Sequence, residues 1–574
     1  MKANQSKIGF RFQRQVWICL VGGMLLTPLS AFSVDETERL PGIVDRPARD
    51  FIPEEVEERE GKTVELPESP APREEQVADP GRVVIDNLTE VAFSGNEVMD
   101  ASILQTAVAP YLNQSVTAAG LAEMKYALTK LYYDEGYVLV KVTTPPQDVS
   151  DGVLDIVIYE AQVGSIDIVD NDAISPYLLE QVTKRVKTGD TFQEGPVESM
   201  VNDVNDLGGV AASVNLSPGT EVGTTDMTVA VEPTNDDTQR FTIDNYASEL
   251  TGEWVGAAQL QKSNLLGWGE TFQFNGRKAL TEDLWSVAFG ATVPVGYRNV
   301  YAHANFSYSE NDIGGRLSGL DASSKSTGAS FALSSALINR RSERLNVRGG
   351  FTARRGESFL AGARESTVDL RQLYGEVNYL WNWPNTVGFA SLRLTQGIDV
   401  LGATDKNDPF ANRLGADPQP TYVQPLLYIG HRVMENGLLK AIFVGQYGSD
   451  KMMASDLISI GGYGTVRGFN PGQESGERGF FTNIEYQHKL YQQDIWAVHA
   501  GPFLDAGYVD SGFENSIVDD TLVSAGIGLE VSTSPSLWRY GDSNMRFDWA
   551  HVIGDYESTI HDDSRFYFRF TQTF

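Results

Sequence analysis

The residue Arg467 places one fixed positive charge in the segment ISIGGYGTVRGFNPG, residues 458–472, which is rich in glycine and contains no acid. A guanidinium can form a paired, charge-assisted contact with a carboxylate, and such contacts are among the stronger hydrogen bonds in proteins. The alternative is a solvated arginine in an exposed loop, where an ion pair contributes at most about 1 kcal/mol. The segment itself leaves both interpretations open, so a partner must be sought elsewhere in the chain.

Two acids on later segments are candidates for this partner. In IWAVHAGPFLDAGYV, residues 495–509, apolar residues alternate along a strand, so Asp505 faces the other way together with Gly501 and Gly507. The two glycines leave space for an approaching loop, which makes Asp505 the preferred partner. The same alternation in the preceding strand places Glu485 on the corresponding face, and Glu485 is the second candidate.

The C-terminal part of the chain, from about Arg240, predicts a transmembrane β-barrel. Segments of roughly ten residues with alternating polarity are separated by Gly, Asn and Asp, as is typical of such barrels. RFTIDNYASE, residues 240–249, is one example, and the last strand, RFYFRFTQTF, places its phenylalanines on one face. We count about sixteen strands, an even number as single-chain bacterial barrels require. A soluble sandwich or propeller would also alternate and is the rival fold.

The connection that contains Arg467, residues 451–479, is unusually long. Connections of this length are usually functional or disordered, and the glycines in this one allow tight turns. In a barrel with short periplasmic turns, we expect it to be either an external loop or a loop folded back into the lumen. An inward fold would bring Arg467 towards the face that carries Asp505.

The N-terminus predicts an exported protein. Residues 1–33 combine a basic start with the apolar run VWICLVGGMLLTPLSAFS, which is the pattern of a secretory signal. The only cysteine, Cys19, lies in this segment, so the mature chain is expected to contain no thiol. Residues 34–80 form an acidic, proline-rich linker, in which the stretch after Pro53 is either one short helix or disordered chain.

Residues 81–234 predict two small α+β modules in tandem. The first contains the strand-like RVVIDNLTEVAFSG and the helical TAAGLAEMKYALTKLYYDEGY, and the second extends from GSIDIVD to TDMTVAVEP. In each module we expect the order strand, helix, helix, strand, strand. The modules are placed at 81–162 and 163–234, and the barrel at 238–574.

Charge and motifs argue against several classes of function. The formal net charge of -32 argues against a nucleic-acid partner, because phosphate binding needs clustered Lys and Arg. The chain contains neither an HExxH motif nor a GxxxxGK[ST] loop, and its acids are scattered as expected for loops and lumen walls. We therefore predict no enzymatic activity, no metal site and no cofactor.

The pair TVRGF and GPFLDAGY, on a long loop and on the next strand but one, resembles the signature of the Omp85 superfamily of outer-membrane protein transporters. The modules resemble POTRA domains, and LYYDEGYVLVKVTTPPQDVSDGVLDIVIYEAQVGSI is similar to the first POTRA of the two-partner-secretion transporters. These are also called TpsB or haemolysin secretion/activation proteins. The resemblance implies a mainly β fold: a 16-stranded transmembrane β-barrel preceded by two periplasmic α+β POTRA domains.

The resemblance also implies roles for particular residues. In that family the arginine of VRG[FY] lies at the tip of a loop folded into the barrel and pairs with an aspartate on the inner wall. The family also has an N-terminal helix that plugs the barrel, and the stretch after Pro53 is the candidate for it. By motif match, the loop motif is Val466, Arg467, Gly468 and Phe469. The inner-wall residues are Asp505 and Gly507, and Glu485 is the alternative partner.

The implied function is transport of one large, β-rich exoprotein from the periplasm to the surface of a Gram-negative bacterium, with a β-helical adhesin or cytolysin as the class of cargo. A factor that assembles other barrels is the alternative, although it would be expected to carry more than two POTRA modules. A passive pore is the third. We also expect a monomer in outer-membrane lipid, inserted by the barrel-assembly machinery with Phe574 as the assembly signal.

Overall fold

The computed structural model describes residues 79–280, 284–297, 299–406, 408–413, 415–510, 520–534, 541–554 and 563–574. The predicted signal and nearly all of the predicted linker, including the candidate plug helix after Pro53, lie outside these residues. The described chain divides near residue 234 into two compact units. No helix among the described residues combines the length and the apolar character needed to cross a membrane.

The first module of the N-terminal unit packs two helices against short strands around one apolar core. Asp100 accepts a hydrogen bond from the backbone N–H of Ser102 and Thr117 accepts one from that of Gly120, so both helices begin at capped ends. Its elements are β1 (Val83–Leu88), β2 (Glu90–Ser94), α1 (Ala101–Val108), β3 (Gln114–Thr117), α2 (Ala118–Asp134), β4 (Val140–Thr143) and β5 (Val153–Glu160), with a 3-10 turn at Ala109–Tyr111.

This module differs in one respect from the order expected from the sequence. The first predicted strand is divided at Thr89 into β1 and β2, and the additional strand β3 lies between the two helices. β3 pairs with β1, whereas β2 joins the three-stranded sheet β2-β5-β4. The strand QSVT is only four residues long, too short for its alternation to be recognised before its partner is known.

The second module has the expected order. Its elements are β6 (Gln162–Val169), α3 (Pro176–Thr183), α4 (Glu194–Asn205), β7 (Val210–Pro218) and β8 (Thr224–Pro233), and its strands form the sheet β6-β8-β7. Backbone hydrogen bonds join it to the first module: the Phe192 N–H donates to the Ala161 carbonyl at 2.8 Å, and the Glu194 N–H donates to the Gly136 carbonyl at 2.9 Å. Backbone hydrogen bonds, and not only side-chain contacts, therefore connect the two modules.

The C-terminal unit is a closed barrel of sixteen antiparallel strands, in which the last strand pairs with the first. This ring confirms the predicted barrel and excludes the rival sandwich. The strands are β9 (Thr238–Asp244), β10 (Val255–Ser263), β11 (Thr271–Ala279), β12 (Trp285–Pro294), β13 (Val300–Asp312), β14 (Ala322–Asn339), β15 (Glu343–Leu360), β16 (Ala363–Trp383), β17 (Thr386–Gly397), β18 (Thr421–Met434), β19 (Gly437–Gly448), β22 (Arg478–Gln493), β23 (Trp496–Asp510), β24 (Asp520–Thr533), β25 (Asp542–Val552) and β26 (Ser564–Thr573).

Alternation along the strands separates an apolar outer face from a polar lumen. On β25, Phe547 and Trp549 are exposed on the outside, while Arg546 and Asp548 are buried on the inside. On β26, Phe566 is exposed and Tyr567 is buried. A ring with an apolar outside and a charged inside is stable in lipid, because every strand is paired and no polar edge is left in the hydrocarbon.

The connections at the two ends of the barrel differ in length. Connections such as 384–385, 435–436 and 494–495 at one end are two residues long, whereas the other end carries the connections 398–420 and 449–477. The second of these contains two short paired strands, β20 (Ile458–Ile460) and β21 (Glu474–Gly476), and a 3-10 turn at Ala454–Asp456; a further 3-10 turn lies at Gly315–Leu320. Longer connections mark the outer end of such barrels.

The first barrel strand ends earlier than the alternation of RFTIDNYASE predicts. β9 stops at Asp244, and the side chain of Asn245 then takes the place of a strand partner by bonding the backbone of Phe566 and Phe568 on β26. The chain turns into the lumen here, where Tyr246 is buried against Tyr463 of the inward loop and Tyr567 of β26. The polarity pattern does not reveal where β9 ends, since a tyrosine at this position is compatible with a strand that continues in the wall and with a segment that turns into the lumen.

Candidate functional site

The long connection 449–477 folds into the lumen and is held there by apolar contacts. Its residues Ile460, Val466 and Phe469 are at most 1% exposed. They belong to one buried cluster with inward-facing residues of β18, β19, β22, β23 and β24, and the full set is Leu426, Tyr428, Ile442, Val444, Ile460, Val466, Phe469, Phe481, Val509 and Leu522. Packing of this extent positions the loop tip against one side of the inner wall.

At the tip, Arg467 contacts Asp505 of β23 through three hydrogen bonds. The guanidinium Nε donates to Oδ2 at 2.7 Å and Nη2 donates to Oδ1 at 2.9 Å, while the backbone N–H of Arg467 donates to Oδ2 at 3.1 Å. Arg467 is 3% exposed and Asp505 is fully buried. This is the two-pronged geometry that only an arginine can form with a carboxylate, and its burial shields it from solvent and salt.

Other charged groups of the wall surround this pair. Arg467 Nη1 lies 3.3 Å from Glu485 Oε2 and 3.5 Å from Asp548 Oδ1. Arg546 of β25 contacts the same two acids, at 2.8 Å from Glu485 Oε1 and 2.6 Å from Asp548 Oδ1, and it lies 3.6 Å from Glu530. Arg467 and Arg546 therefore belong to one connected buried network, and Glu485 is shared between them.

Aromatic rings of the wall and the loop enclose the guanidinium. Its central carbon lies 3.3 Å from the centre of the Phe503 ring, within the range of a cation–π contact. Tyr463 of the loop donates its hydroxyl to Asp548 Oδ2 at 2.7 Å and stacks on Tyr246 with ring centres 3.6 Å apart. The same loop tip thus contacts the last barrel strands and the segment that follows the first strand.

The other residues of the VRGF motif fix the loop backbone. Gly468 has φ of +95°, a conformation that side-chain-bearing residues rarely adopt, and its N–H donates to the Tyr567 hydroxyl at 2.9 Å. Asn483 of β22 donates to the Thr465 carbonyl at 2.5 Å. Val466 and Phe469 enter the apolar cluster on either side of the arginine. The motif therefore combines one charge, one turn and two apolar anchors.

Gly507 lies where the loop comes closest to β23. A Cβ atom at this position would lie 3.0 Å from Val466 Cγ2 and 3.2 Å from Ile460 Cγ2. We expect Gly507→Val to push the loop away from the wall, at a cost of about 1 to 3 kcal/mol for overpacking. Limited proteolysis of the loop in intact membranes should then accelerate.

Gly375→Val on β16 is the matched control for this substitution. A Cβ at Gly375 would meet no atom within 4 Å, so the loop should remain as resistant to protease as in the unaltered chain. Equal proteolysis of the Gly507→Val and Gly375→Val chains would show that space at Gly507 does not determine loop docking.

The structure brings most of the residues singled out from the sequence into one place. Arg467 contacts both Asp505 and Glu485, with three hydrogen bonds to the first and one to the second. Phe574 lies elsewhere, at the barrel seam, where it exchanges backbone hydrogen bonds with Gln239 and its ring meets Phe241 edge to face at 6.2 Å.

Sequence reasoning missed several members of the network. Asp548 could have been found, because it lies two residues after Arg546 on the same face of β25. Phe503 likewise shares its face with Asp505. Tyr463 carried no such signal, because it lies in the loop. Tyr246 fell within the predicted first strand, but its contact with Tyr463 joins distant parts of the chain and could not be predicted.

A closed sixteen-stranded barrel with an inward loop, preceded by two small α+β modules, defines the class of this protein as an outer-membrane β-barrel protein. The family model described as haemolysin secretion/activation protein ShlB/FhaC/HecB matches residues 223–531, more than half of the chain. A model of the ShlB-type POTRA domain matches residues 87–161. The chain therefore belongs to the ShlB/FhaC/HecB family, as the sequence motifs predicted.

Individual relatives agree with this assignment. The heme/hemopexin transporter protein HuxB of Haemophilus influenzae is 21% identical over 449 residues, covering 74% of this chain and 77% of HuxB. The outer membrane transporter CdiB of Escherichia coli is 23% identical over 462 residues, covering 78% and 76%. The solved structure of CdiB from Escherichia coli has the same fold, with a TM-score of 0.73 at 19% identity and full coverage of both chains.

Family membership and fold together give the location and the general function. The barrel lies in the outer membrane and the POTRA modules lie in the periplasm. The chain is a transporter of the two-partner type, which works with a secreted exoprotein. This confirms the predicted function over the alternative of a factor that assembles other barrels.

Proposed function

We propose that the chain secretes one large exoprotein and that the Arg467–Asp505 pair holds the inward loop in the position that transport requires. The observation that carries this proposal is the burial of an ion pair in the lumen in which the guanidinium donates to both carboxylate oxygens. Arg467 is 3% exposed and Asp505 is fully buried. Burying two charges is costly unless each satisfies the other, so the loop has one strongly preferred docking position. Val466, Gly468 and Phe469 support this position, and Glu485 is a secondary contact.

The path for the exoprotein begins at the POTRA modules. Among the described strands, β4 pairs only with β5, and β7 pairs only with β8, so both are edge strands of their sheets. An extended polypeptide can add to such an edge through backbone hydrogen bonds, which do not depend on its sequence. Folding of the cargo outside the cell would then supply direction, without a nucleotide-binding site in the transporter.

The domain organisation belongs to the same proposal. We place a signal peptide at 1–33, a linker with a candidate plug helix at 34–80, POTRA 1 at 81–162, POTRA 2 at 163–234, and the barrel at 238–574 with its inward loop at 451–479. The cargo is a β-helical adhesin or cytolysin. The chain acts as a monomer in outer-membrane lipid, reaches the membrane through the barrel-assembly machinery with Phe574 as its signal, and has no enzymatic activity and no nucleic-acid partner.

Co-expression with its exoprotein tests the proposed function directly. We expect the exoprotein to reach the cell surface or the medium only when the transporter is present, because the lumen provides its path through the outer membrane. The measurement is the extracellular amount of exoprotein, with the periplasmic amount determined in parallel.

The abundance of other outer-membrane barrels is the control in the same cells. These barrels should be unchanged when the transporter is removed. A fall in their abundance, with the exoprotein still secreted, would contradict the proposal and favour a role in membrane assembly.

A further inference from the structure

A second buried acid of the inward loop, Asp456, is bound to a different part of the wall. It ends the 3-10 turn Ala454–Asp456, on the arm that enters the lumen, eleven residues before Arg467. Its side chain is fully buried. Buried carboxylates are rare unless they are paired, so its partners indicate what the arm is attached to.

Two wall residues bind the Asp456 carboxylate. Arg354 of β15 forms an ion pair with Oδ1, and Gln372 of β16 donates from Nε2 to Oδ1 at 3.1 Å and to Oδ2 at 3.0 Å. Arg354 Nη2 also donates to Gln372 Oε1 at 3.0 Å, and its Nη1 donates to the Ser455 carbonyl at 3.4 Å. The three side chains therefore form a closed triangle that includes the loop backbone.

This triangle lies on a different part of the wall from the Arg467 site. In the order of the closed ring, β23, which carries Asp505, is six strands from β15 and five strands from β16. The loop is thus attached by ion pairs to two separate parts of the wall, five to six strands apart.

The returning arm has its own attachment at the outer end. Glu477 is fully buried and lies 2.7 Å from Arg413 Nη1 of the connection 398–420. The same guanidinium nitrogen donates to the Met452 carbonyl of the entering arm at 2.6 Å. The outer ends of both arms are therefore held near the barrel rim. Further in, the entering arm is joined to β15 and β16 by Asp456, by the Ser455 carbonyl and by Met453, which packs against Val368 and Leu370.

We propose that Arg354, Gln372 and Asp456 form a second lock on the inward loop, which positions the loop for the Arg467–Asp505 contact. The inference rests on the proposed role of the loop in transport. Two locks on separate parts of the wall restrain both the tip and the entering arm, and they add to the apolar cluster and to the Glu477 contact at the rim. Withdrawal of the loop from the lumen then requires both locks to open.

A single cysteine can report the position of the loop. Ser459 is 1% exposed, and its hydroxyl lies 2.8 Å from that of Ser475, so a thiol at this position is shielded while the loop is docked. The only cysteine of the unaltered chain is Cys19, within the predicted signal. Labelling of the chain without Ser459→Cys therefore gives the background signal. The probe is a membrane-impermeant maleimide added to intact cells.

We expect Arg354→Gln and Asp456→Asn each to accelerate labelling of Ser459→Cys by about tenfold or more. Arg354→Gln leaves the buried Asp456 carboxylate without its cation, and Asp456→Asn leaves the partly buried Arg354 guanidinium without its acid. The double variant should label no faster than either single variant, since both remove the same contact. The matched control is Arg355→Gln on the same strand, whose side chain is about half exposed and pairs with Glu357 and Asp369 at the surface.

The outcomes separate this lock from the proposed function. The lock is overturned if Arg354→Gln and Asp456→Asn are labelled no faster than the control Arg355→Gln. It is also overturned if the fold-acceleration in the double variant equals the product of the fold-accelerations in the two single variants. Faster labelling with a heat-modifiable, correctly inserted barrel supports it. If labelling accelerates while exoprotein secretion is unchanged, the lock is supported and the proposed need for a docked loop in transport fails.

Discussion

Arg467→Ala is expected to abolish secretion of the exoprotein while leaving the barrel in the outer membrane. The substitution leaves the Asp505 carboxylate fully buried without the guanidinium that takes both of its oxygens. Losing one partner of a buried pair costs about 3 to 5 kcal/mol, which shifts the docked loop towards undocked states by roughly a hundredfold or more. The strand ladder of the barrel does not involve Arg467, so insertion should persist.

The measurements are extracellular exoprotein and heat-modifiable migration of the barrel. Arg432→Ala, an exposed arginine on β18, is the control and should secrete normally. Arg467→Lys retains the charge but cannot make the two-pronged contact, so it should secrete far less than the unaltered chain. Full secretion by Arg467→Ala would refute the role assigned to the loop.

Asp505→Ala is expected to reproduce the defect of Arg467→Ala, whereas Glu485→Ala should reduce secretion only mildly. Asp505 accepts three hydrogen bonds from Arg467, while Glu485 accepts one at 3.3 Å and shares its other oxygen with Arg546. Removing Glu485 therefore still leaves Arg467 its main partner. Removing Asp505 leaves a buried guanidinium with only peripheral contacts to acids.

The double substitution of Arg467 and Asp505 by alanine provides the internal control. If the two residues act as a pair, the double variant should be no worse than either single variant, since the contact is already lost. A severe defect in Glu485→Ala together with a mild one in Asp505→Ala would identify Glu485 as the functional partner instead.

The two expected defects share a physical origin in the way the loop is docked. The tip is attached by a buried charge pair, and the surrounding cluster from Leu426 to Leu522 is apolar and closely packed. Neither interaction alone specifies one position, because apolar packing is non-directional and an ion pair in water is weak. Together they exclude water from the pair and give the apolar contacts a fixed register.

Much of the fold could be predicted from local patterns. Period-two alternation identified the barrel strands and the inward side of β23, and it therefore selected Asp505 before any contact was known. The helical period identified the second helix of the first module. β3 and the early end of β9 were not predicted, because a four-residue strand and an inward turn after Asp244 depend on partners distant in sequence.

The sequence by itself determined which residues could form the site, since strand alternation decides on which side of a barrel wall each residue lies. Only the tertiary structure decided which groups meet, because the loop contacts many separate strands at once. It placed Asp548, Tyr463 and Phe503 around the guanidinium and joined Asp456 to Arg354 across more than a hundred residues. Contacts of that separation arise from ring closure and loop docking, and no local pattern encodes them.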